Sequence, residues 1–274
     1  MSVIAKRYKS WLLEAALLLF SLAVIVPLLI MFFGSFKSSA EASRFNIEPP
    51  SEWHWDNYSF VFETGGLLRS FWNSSVITAF SLLLTVIVAS AAAFVISRRK
   101  SKATESMYIY FLIGMIAPMQ IITTYAVLKI LGLTGSFTGV ILINAAINIP
   151  LSIVMFAGFV KGIPREIDEA AAIDGCGSYR LFGIIIMPLL KPVIASNIIF
   201  LSLGIWNDIM LPIYFLSGDK WTLPLSVYQF FGQYFSSWNY VFADIVLSAI
   251  PVVILFLTAQ RYIVAGMVSG ALKG

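Results

Sequence analysis

The chain has 274 residues, of which 59% are hydrophobic and 12% charged, with a mean hydropathy of +0.89. A soluble domain carries about a quarter charged residues, so a water-soluble globular protein is excluded. One cysteine (Cys176) and one histidine (His54) leave nothing from which to build a disulfide framework, a zinc site or a histidine-based triad, and a net charge of +4 is no nucleic-acid signature.

A helix needs about 20 mainly apolar residues to cross the hydrocarbon core. The first predicted span covers about 11–34. Lys6, Arg7 and Lys9 precede it as in a signal peptide, but the apolar run is long and no small-residue cleavage site follows, so it reads as an uncleaved helix. A polar segment with Pro49 and Pro50 leads to the second span, 72–97, which stops at Arg98, Arg99, Lys100 and Lys102. The third span is expected over 107–131 and the fourth over 137–160, separated by the turn "GLTGS". A polar loop, 161–182, precedes the fifth span at 183–205, which Pro188, Lys191 and Pro192 interrupt early. An aromatic-rich loop from Trp206 to Tyr240 leads to the sixth span at 241–263. The predicted fold is all-α: one polytopic membrane domain over 1–274 with six transmembrane helices.

Basic residues in short loops set orientation. With the N-terminus inside, the inner segments hold Lys6, Arg7, Lys9, Arg98, Arg99, Lys100, Lys102, Lys161, Arg165, Arg180, Lys191, Arg261 and Lys273; the outer ones hold only Lys37, Arg44, Arg69, Lys129 and Lys220. Both termini and the 161–182 loop are therefore expected on the cytoplasmic side. The middle of every span is uncharged, with Glu14, Lys191 and Asp244 near span ends, which disfavours an ion-coupled carrier. No G-x-x-x-x-G-K-[ST] sequence occurs either. Energy for active transport would have to come from another protein.

The cytoplasmic loop contains "PREIDEAAAIDGCG". Pro164 suits a first helical position, Glu166, Asp168 and Glu169 favour the helix dipole, and Ala170, Ala171 and Ala172 have the highest helix propensity. Gly175 is placed to end the helix in a left-handed conformation. Roughly ten residues make about 15 Å of helix, too short to span a bilayer. Ile167, Ala170, Ala171 and Asp174 share one face; Glu166, Glu169 and Ile173 share another. On these residues alone, a surface connector and a docking element are equally good readings.

Glu169-Ala170-Ala171, three residues, Gly175, nine residues, Ile185, one residue, and Met187-Pro188 resemble the E-A-A-x3-G-x9-I-x-L-P signature of ATP-binding cassette importer permeases. Met187 stands where leucine is usual, a volume-conserving change. The segment "FWNSSVITAFSLLLTVIVASAAAFVISR" resembles the second span of carbohydrate-type permeases, and "WNDIMLPIYFLSGDKWTLP" and "QRYIVAGMVSGALKG" resemble the second permease subunit of the maltose-type family. The resemblance tips the loop toward docking and implies a coupling helix that sits on an ATPase through Glu166, Glu169, Ala170, Ala171, Asp174, Gly175, Ile185 and Pro188. It implies a homologous second permease, two copies of the ATPase, an extracellular solute-binding protein, and a place in the cell membrane of a prokaryote. ATP and Mg would belong to the ATPase, with no cofactor and no covalent chemistry on this chain. The implied solute is a sugar or oligosaccharide; the alternatives are a polyol or glycerol phosphate permease of the same class, an ion-coupled secondary carrier, or a non-transporting anchor.

Uncharged polar groups at depth suit a neutral polyhydroxylated solute, which makes Gln120, Thr123, Thr124, Asn144, Asn148 and Asn197 candidates for the path. The competing reading is inter-helix hydrogen bonding, worth about 0.6 kcal/mol each in bilayers. The resemblance further places Gly232, Gln233 and Tyr234, in "FGQYFSSW", toward the solute-binding protein. Pro118 and Pro150 read as kinks or helix ends, Pro188 and Pro192 as helix ends.

Overall fold

The computed structural model describes residues 3–232 and 237–271. Among them there is no strand, and helices follow one another in the order α1 (Val3–Gly34), α2 (Ser39–Ala42), α3 (Asp56–Thr64), α4 (Leu67–Arg98), α5 (Lys102–Ile116), α6 (Ile121–Ile130), α7 (Phe137–Lys161), α8 (Glu166–Ile173) and α9 (Ser178–Arg180). A π-helical turn, Leu181–Ile186, then leads into α10 (Met187–Leu189), α11 (Lys191–Trp206), α12 (Met210–Phe215), two 3-10 turns (Gly218–Lys220 and Leu223–Gln229) and α13 (Trp238–Ala271). Among the described residues four helices are long and apolar enough to cross a membrane, over Leu17–Gly34, Leu67–Arg98, Phe137–Lys161 and Trp238–Thr258; counting two bent pairs as one span each gives six.

The bent pairs follow from proline. Residues 107–131, expected as one span with Pro118 as a kink or helix end, are α5 and α6 bent by 119° at a break. Pro118 has no N–H to donate, and its ring pushes the preceding residue out of the helical region; Ala117 accordingly has ψ 122°. The second pair, Ser178–Leu189 and α11, bends by 70°. There Pro188 and Pro192 each occupy one of the first two positions of a helix, α10 and α11, where a missing N–H costs nothing. Helix starts are likewise written in the loops: Ser101 and Thr104 form a reciprocal capping box for α5, and the Ser136 hydroxyl accepts the Gly139 amide at the head of α7.

The chain divides into two compact units. The first comprises Met1–Leu68 and Leu223–Ile250. In it the foot of α1 lies so close to α13 that a Cβ on Gly34 would run into the Phe242 ring. The polar loop after α1 is tied down internally. Lys37, fully buried, donates from Nζ to the side-chain carbonyl of Asn46 at 2.6 Å and to its backbone carbonyl at 3.2 Å. Asn57 donates to the carbonyls of Ser35 and Lys37, and Asn239 of α13 donates to the Asn57 side chain at 2.8 Å. Each buried polar group thereby replaces water with protein partners, as burial requires.

The second unit comprises Arg69–Thr222 and Pro251–Gly274. One core gathers Ile77 of α4, Val140 and Ile143 of α7, Leu201 and Ile205 of α11, and Phe215 of α12. A second packs Val86, Ala89, Ala93 and Ile96 of α4 against Ile153, Phe156 and Ala157 of α7. Alanines at 89, 93 and 157 bring the two backbones near enough for the Ser97 hydroxyl to reach the Ala157 carbonyl at 3.3 Å. Small residues at contact points are the usual means of packing helices where lipid supplies no hydrophobic drive.

Candidate functional site

The third core of this unit lies beneath the acidic-alanine helix. Val160 and Ile163 at the end of α7, Ile186 of the π turn and Leu190 are buried together, with Phe94 of α4 and Ile167 of α8 packed on them. The helix α8 spans eight residues, about 12 Å at 1.5 Å per residue. Its first turn starts with the amides of Asp168 and Glu169 both donating to the Arg165 carbonyl, at 2.9 and 3.1 Å. Pro164 therefore stands just before the helix, not inside it. At the other end Gly175 takes φ +75°. Cys176 N–H reaches the Ala171 carbonyl at 2.9 Å, and Gly175 N–H reaches that of Ala172 at 3.1 Å. This pair of bonds satisfies orphan carbonyls and needs the left-handed residue that glycine adopts without steric cost.

One ion pair fastens α8 to the transmembrane helices. Arg98, the last residue of α4, brings Nε within 2.7 Å of Asp168 Oδ2, their side chains 11% and 19% exposed. The Nε approach is off the N–H axis, so it acts as a charge contact; Nη2 donates to Asp168 Oδ1 at 3.3 Å, and Nη1 to the Ile163 carbonyl at 3.1 Å. A single guanidinium thus grips the loop before α8 and its first turn, using the planar fork that lysine lacks.

This attachment decides which face is free. Ile167, Asp168 and Ala171 turn toward the chain's own body, with Ala171 buried, so its small side chain serves internal packing. Glu166, Glu169 and Ala170 are exposed, and so are two large apolar side chains, Ile173 at 86% and Tyr179 at 96%. The sequence-derived face of Ile167, Ala170, Ala171 and Asp174 is therefore split: Ala170 and Asp174 are exposed and the other two packed. Ile185 is half-buried and Pro188 exposed. Sequence reasoning gave no site role to Arg98, Asp168, Ile173 or Tyr179. The signal for the first pair was an arginine ending the second span and an acid-rich loop following the fourth, both expected on the same side of the membrane.

The residues proposed for a solute path are scattered among different roles. Asn144 and Asn148 donate to carbonyls of their own helix, at 3.2 and 2.8 Å. Asn197 is fully enclosed, donating to the Ser152 hydroxyl at 3.1 Å, while Ser152 in turn contacts the Asn148 carbonyl. These groups form one hydrogen-bonded ladder between α7 and α11, the inter-helix reading. Gln120 and Thr123 are exposed at the elbow between α5 and α6, where the Thr123 hydroxyl donates back to the Gln120 carbonyl. Thr124 lines a mostly apolar cavity of about 390 Å³ inside that elbow, shared with Gly114, Met119, Leu128 and Ile143. On α4, Thr78, Ser81 and Thr85 recur at helical spacing with buried hydroxyls that have no hydrogen-bond partner among the described residues. Gly232 is exposed, whereas Gln233 and Tyr234 lie outside the described residues.

Two of the segments noted in the sequence meet in this unit. Asn73 of α4 donates to the carbonyls of Asp219 and Trp221, at 3.0 and 2.9 Å, and Arg69 pairs with Asp219 at 3.4 Å. Lys220 donates to the Gly135 carbonyl at 2.6 Å, joining the same loop to the α6–α7 turn. Nearby, the Asp208 carboxylate accepts the amides of Met210 and Leu211 at the head of α12; burial pushes its pKa up, and those two bonds partly offset the rise.

An all-helical multi-pass membrane protein with a short, firmly seated helix between its fourth and fifth spans is the architecture of a transport-system membrane subunit. The chain belongs to the family of binding-protein-dependent transport system inner membrane components, which matches residues 82–269. It is 35% identical to the multiple sugar-binding transport system permease protein MsmG of Streptococcus mutans, over 91% of this chain and 92% of that protein. It is also 35% identical to the melibiose/raffinose/stachyose import permease protein MelC of Bacillus subtilis, over 92% of both. Its fold matches that of a chain in the crystal structure of a bacterial ABC transporter involved in the import of the acidic polysaccharide alginate. The TM-score is 0.82 at 21% identity, covering 96% of this chain and 99% of that one.

Proposed function

We propose that this chain forms half of the translocation path of an ATP-driven importer for a sugar or oligosaccharide. A homologous permease supplies the other half, and α8 couples the path to a separate ATPase. The ATPase is present in two copies and carries the ATP and Mg, and an external solute-binding protein delivers the solute. The assembly sits in the cell membrane of a prokaryote with both termini of this chain cytoplasmic. The solute class is supported by the relatives named for sugar transport, and the binding protein by the description of the family.

The observation that carries the coupling role is the division of α8 into two faces. One is locked to the transmembrane helices by Arg98 and packed on Val160, Ile163 and Ile186. The other carries Glu169 beside the exposed Ile173, with Tyr179 just beyond the helix, large apolar groups beside a charge of the kind that a docked partner covers. A load applied to the free face is transmitted to α4 and α7 without slack, which is how two distant sites share a free energy.

The test is a Glu169→Ala, Gly175→Ala double variant in the assembled transporter. ATP-dependent uptake of radiolabelled oligosaccharide into vesicles is expected to fall roughly 5- to 150-fold, the span of ordinary coupling energies, while the chain still inserts in the membrane. Normal uptake by this variant would refute the coupling role.

A further inference from the structure

Where α4 ends, α5 begins and α7 ends, the chain forms a second kind of site, open to its surroundings. A cavity of about 540 Å³ is lined by Arg99, Lys100, Lys102 and Lys161, with Glu105 as its one acid and Tyr108 on its wall. Among the described residues none of the four cations lies within ion-pair distance of a carboxylate. Lys161 Nζ sits 5.2 Å above the centre of the Tyr108 ring, which holds one charge over the cavity. At the head of α5 the capping box engages the amides of Ser101 and Thr104, and the four cationic side chains supply the charge that would draw an anion.

We propose that this cavity binds the phosphate headgroup of an anionic phospholipid. Three features select that ligand. Uncompensated positive charge of this density recruits a phosphate. The cavity lies at the ends of three apolar helices, the depth at which headgroups sit. Ile96 and Tyr108 add apolar wall to a polar mouth, which suits the glycerol end of a lipid better than a free ion. Lys161 also lines an adjoining cavity of about 460 Å³ with Arg98, Arg165 and Glu166. The headgroup therefore rests beside the ion pair that seats α8, and occupancy would stiffen the attachment of that helix. The chemistry of the site does not depend on the transported solute; only its assignment to the inner leaflet rests on the orientation proposed above.

The experiment measures the phospholipid retained by the purified, assembled transporter after equilibration with mixed phosphatidylglycerol and phosphatidylcholine vesicles, read by native mass spectrometry. Wild type is expected to prefer phosphatidylglycerol. Lys100→Gln, Lys102→Gln and Lys161→Gln are each expected to cut that preference about fivefold, and Lys161→Arg to keep it. Glu105→Gln, which removes the opposing acid, is expected to raise it, a gain that misfolding cannot produce. An unchanged preference in the triple Lys→Gln variant would overturn the proposal. So would displacement of the lipid by inorganic phosphate, which marks a free-anion site, or a preference present in the isolated chain and abolished on assembly, which marks a protein contact. None of these readouts involves uptake, so failure here is separable from failure of the import reading.

Discussion

Arg98 closes one helix and holds the start of another, so its energetics reach further than a surface charge would. Removing one partner of a largely buried pair leaves the other charge without compensation and costs about 3 kcal/mol. Asp168→Ala is expected to loosen α8 by that amount, seen as faster amide hydrogen exchange over 166–173 with the cores of α4 and α7 unchanged; equal exchange in the variant would show that Ile167 and Ala171 hold the helix unaided. At Gly175 the sequence was informative because the demand is local. A helix followed by a left-handed residue is written in the alanines and the glycine, and the backbone adopts φ +75° there. The inward turn of Ala171 was not legible, because it depends on where Arg98 stands, a residue remote in sequence from it.

At the scale of elements, long apolar runs announced the helices, while the breaks between them depended on proline. A window average over 107–131 sees continuous hydrophobicity; Pro118 marks a kink or helix end within it, but the size of the bend is not written in the sequence, because the proline's effect is steric and confined to one residue. The polar residues near it, Gln120 and Thr123, consequently sit at an elbow and not inside a straight span. The polar ladder between α7 and α11 yields a prediction that separates packing from transport. Asn197→Ala should lower the thermal stability of the solubilised protein slightly, by about 0.6 kcal/mol, and leave the KM for solute unchanged; a raised KM at unaltered stability would place Asn197 in the path. Gly34 makes a complementary case in the first unit. An alanine there meets the Phe242 ring, and overpacking of this kind costs about 1–3 kcal/mol. Gly34→Ala should therefore reduce the melting temperature, and combining it with Phe242→Leu should restore most of the loss.

For the whole molecule, the single cysteine is a built-in reporter of orientation. Cys176 follows α8 and is partly exposed. With the proposed cytoplasmic loop, a membrane-impermeant maleimide should label it in inverted membrane vesicles and leave it unlabelled in intact cells. The reverse pattern would invert the topology and remove the coupling role with it. In the assembled transporter, labelling should slow if, as proposed, an ATPase docks on the free face of α8.

The class of this protein was decided by its sequence alone. Too little charge for a soluble domain, uncharged stretches of bilayer length and basic residues gathered in alternate loops are sums over many residues, and such sums survive ignorance of the fold. The gapped spacing from Glu169 to Pro188 likewise needs no coordinates. What only the tertiary structure decided is which side of each element is spoken for: that Ala171 is packed and Ile173 free, that Asn197 is bonded to its neighbour helix, and that Arg98 reaches Asp168. Those outcomes depend on contacts between residues far apart in the chain, and a helical period specifies a face without specifying what lies against it.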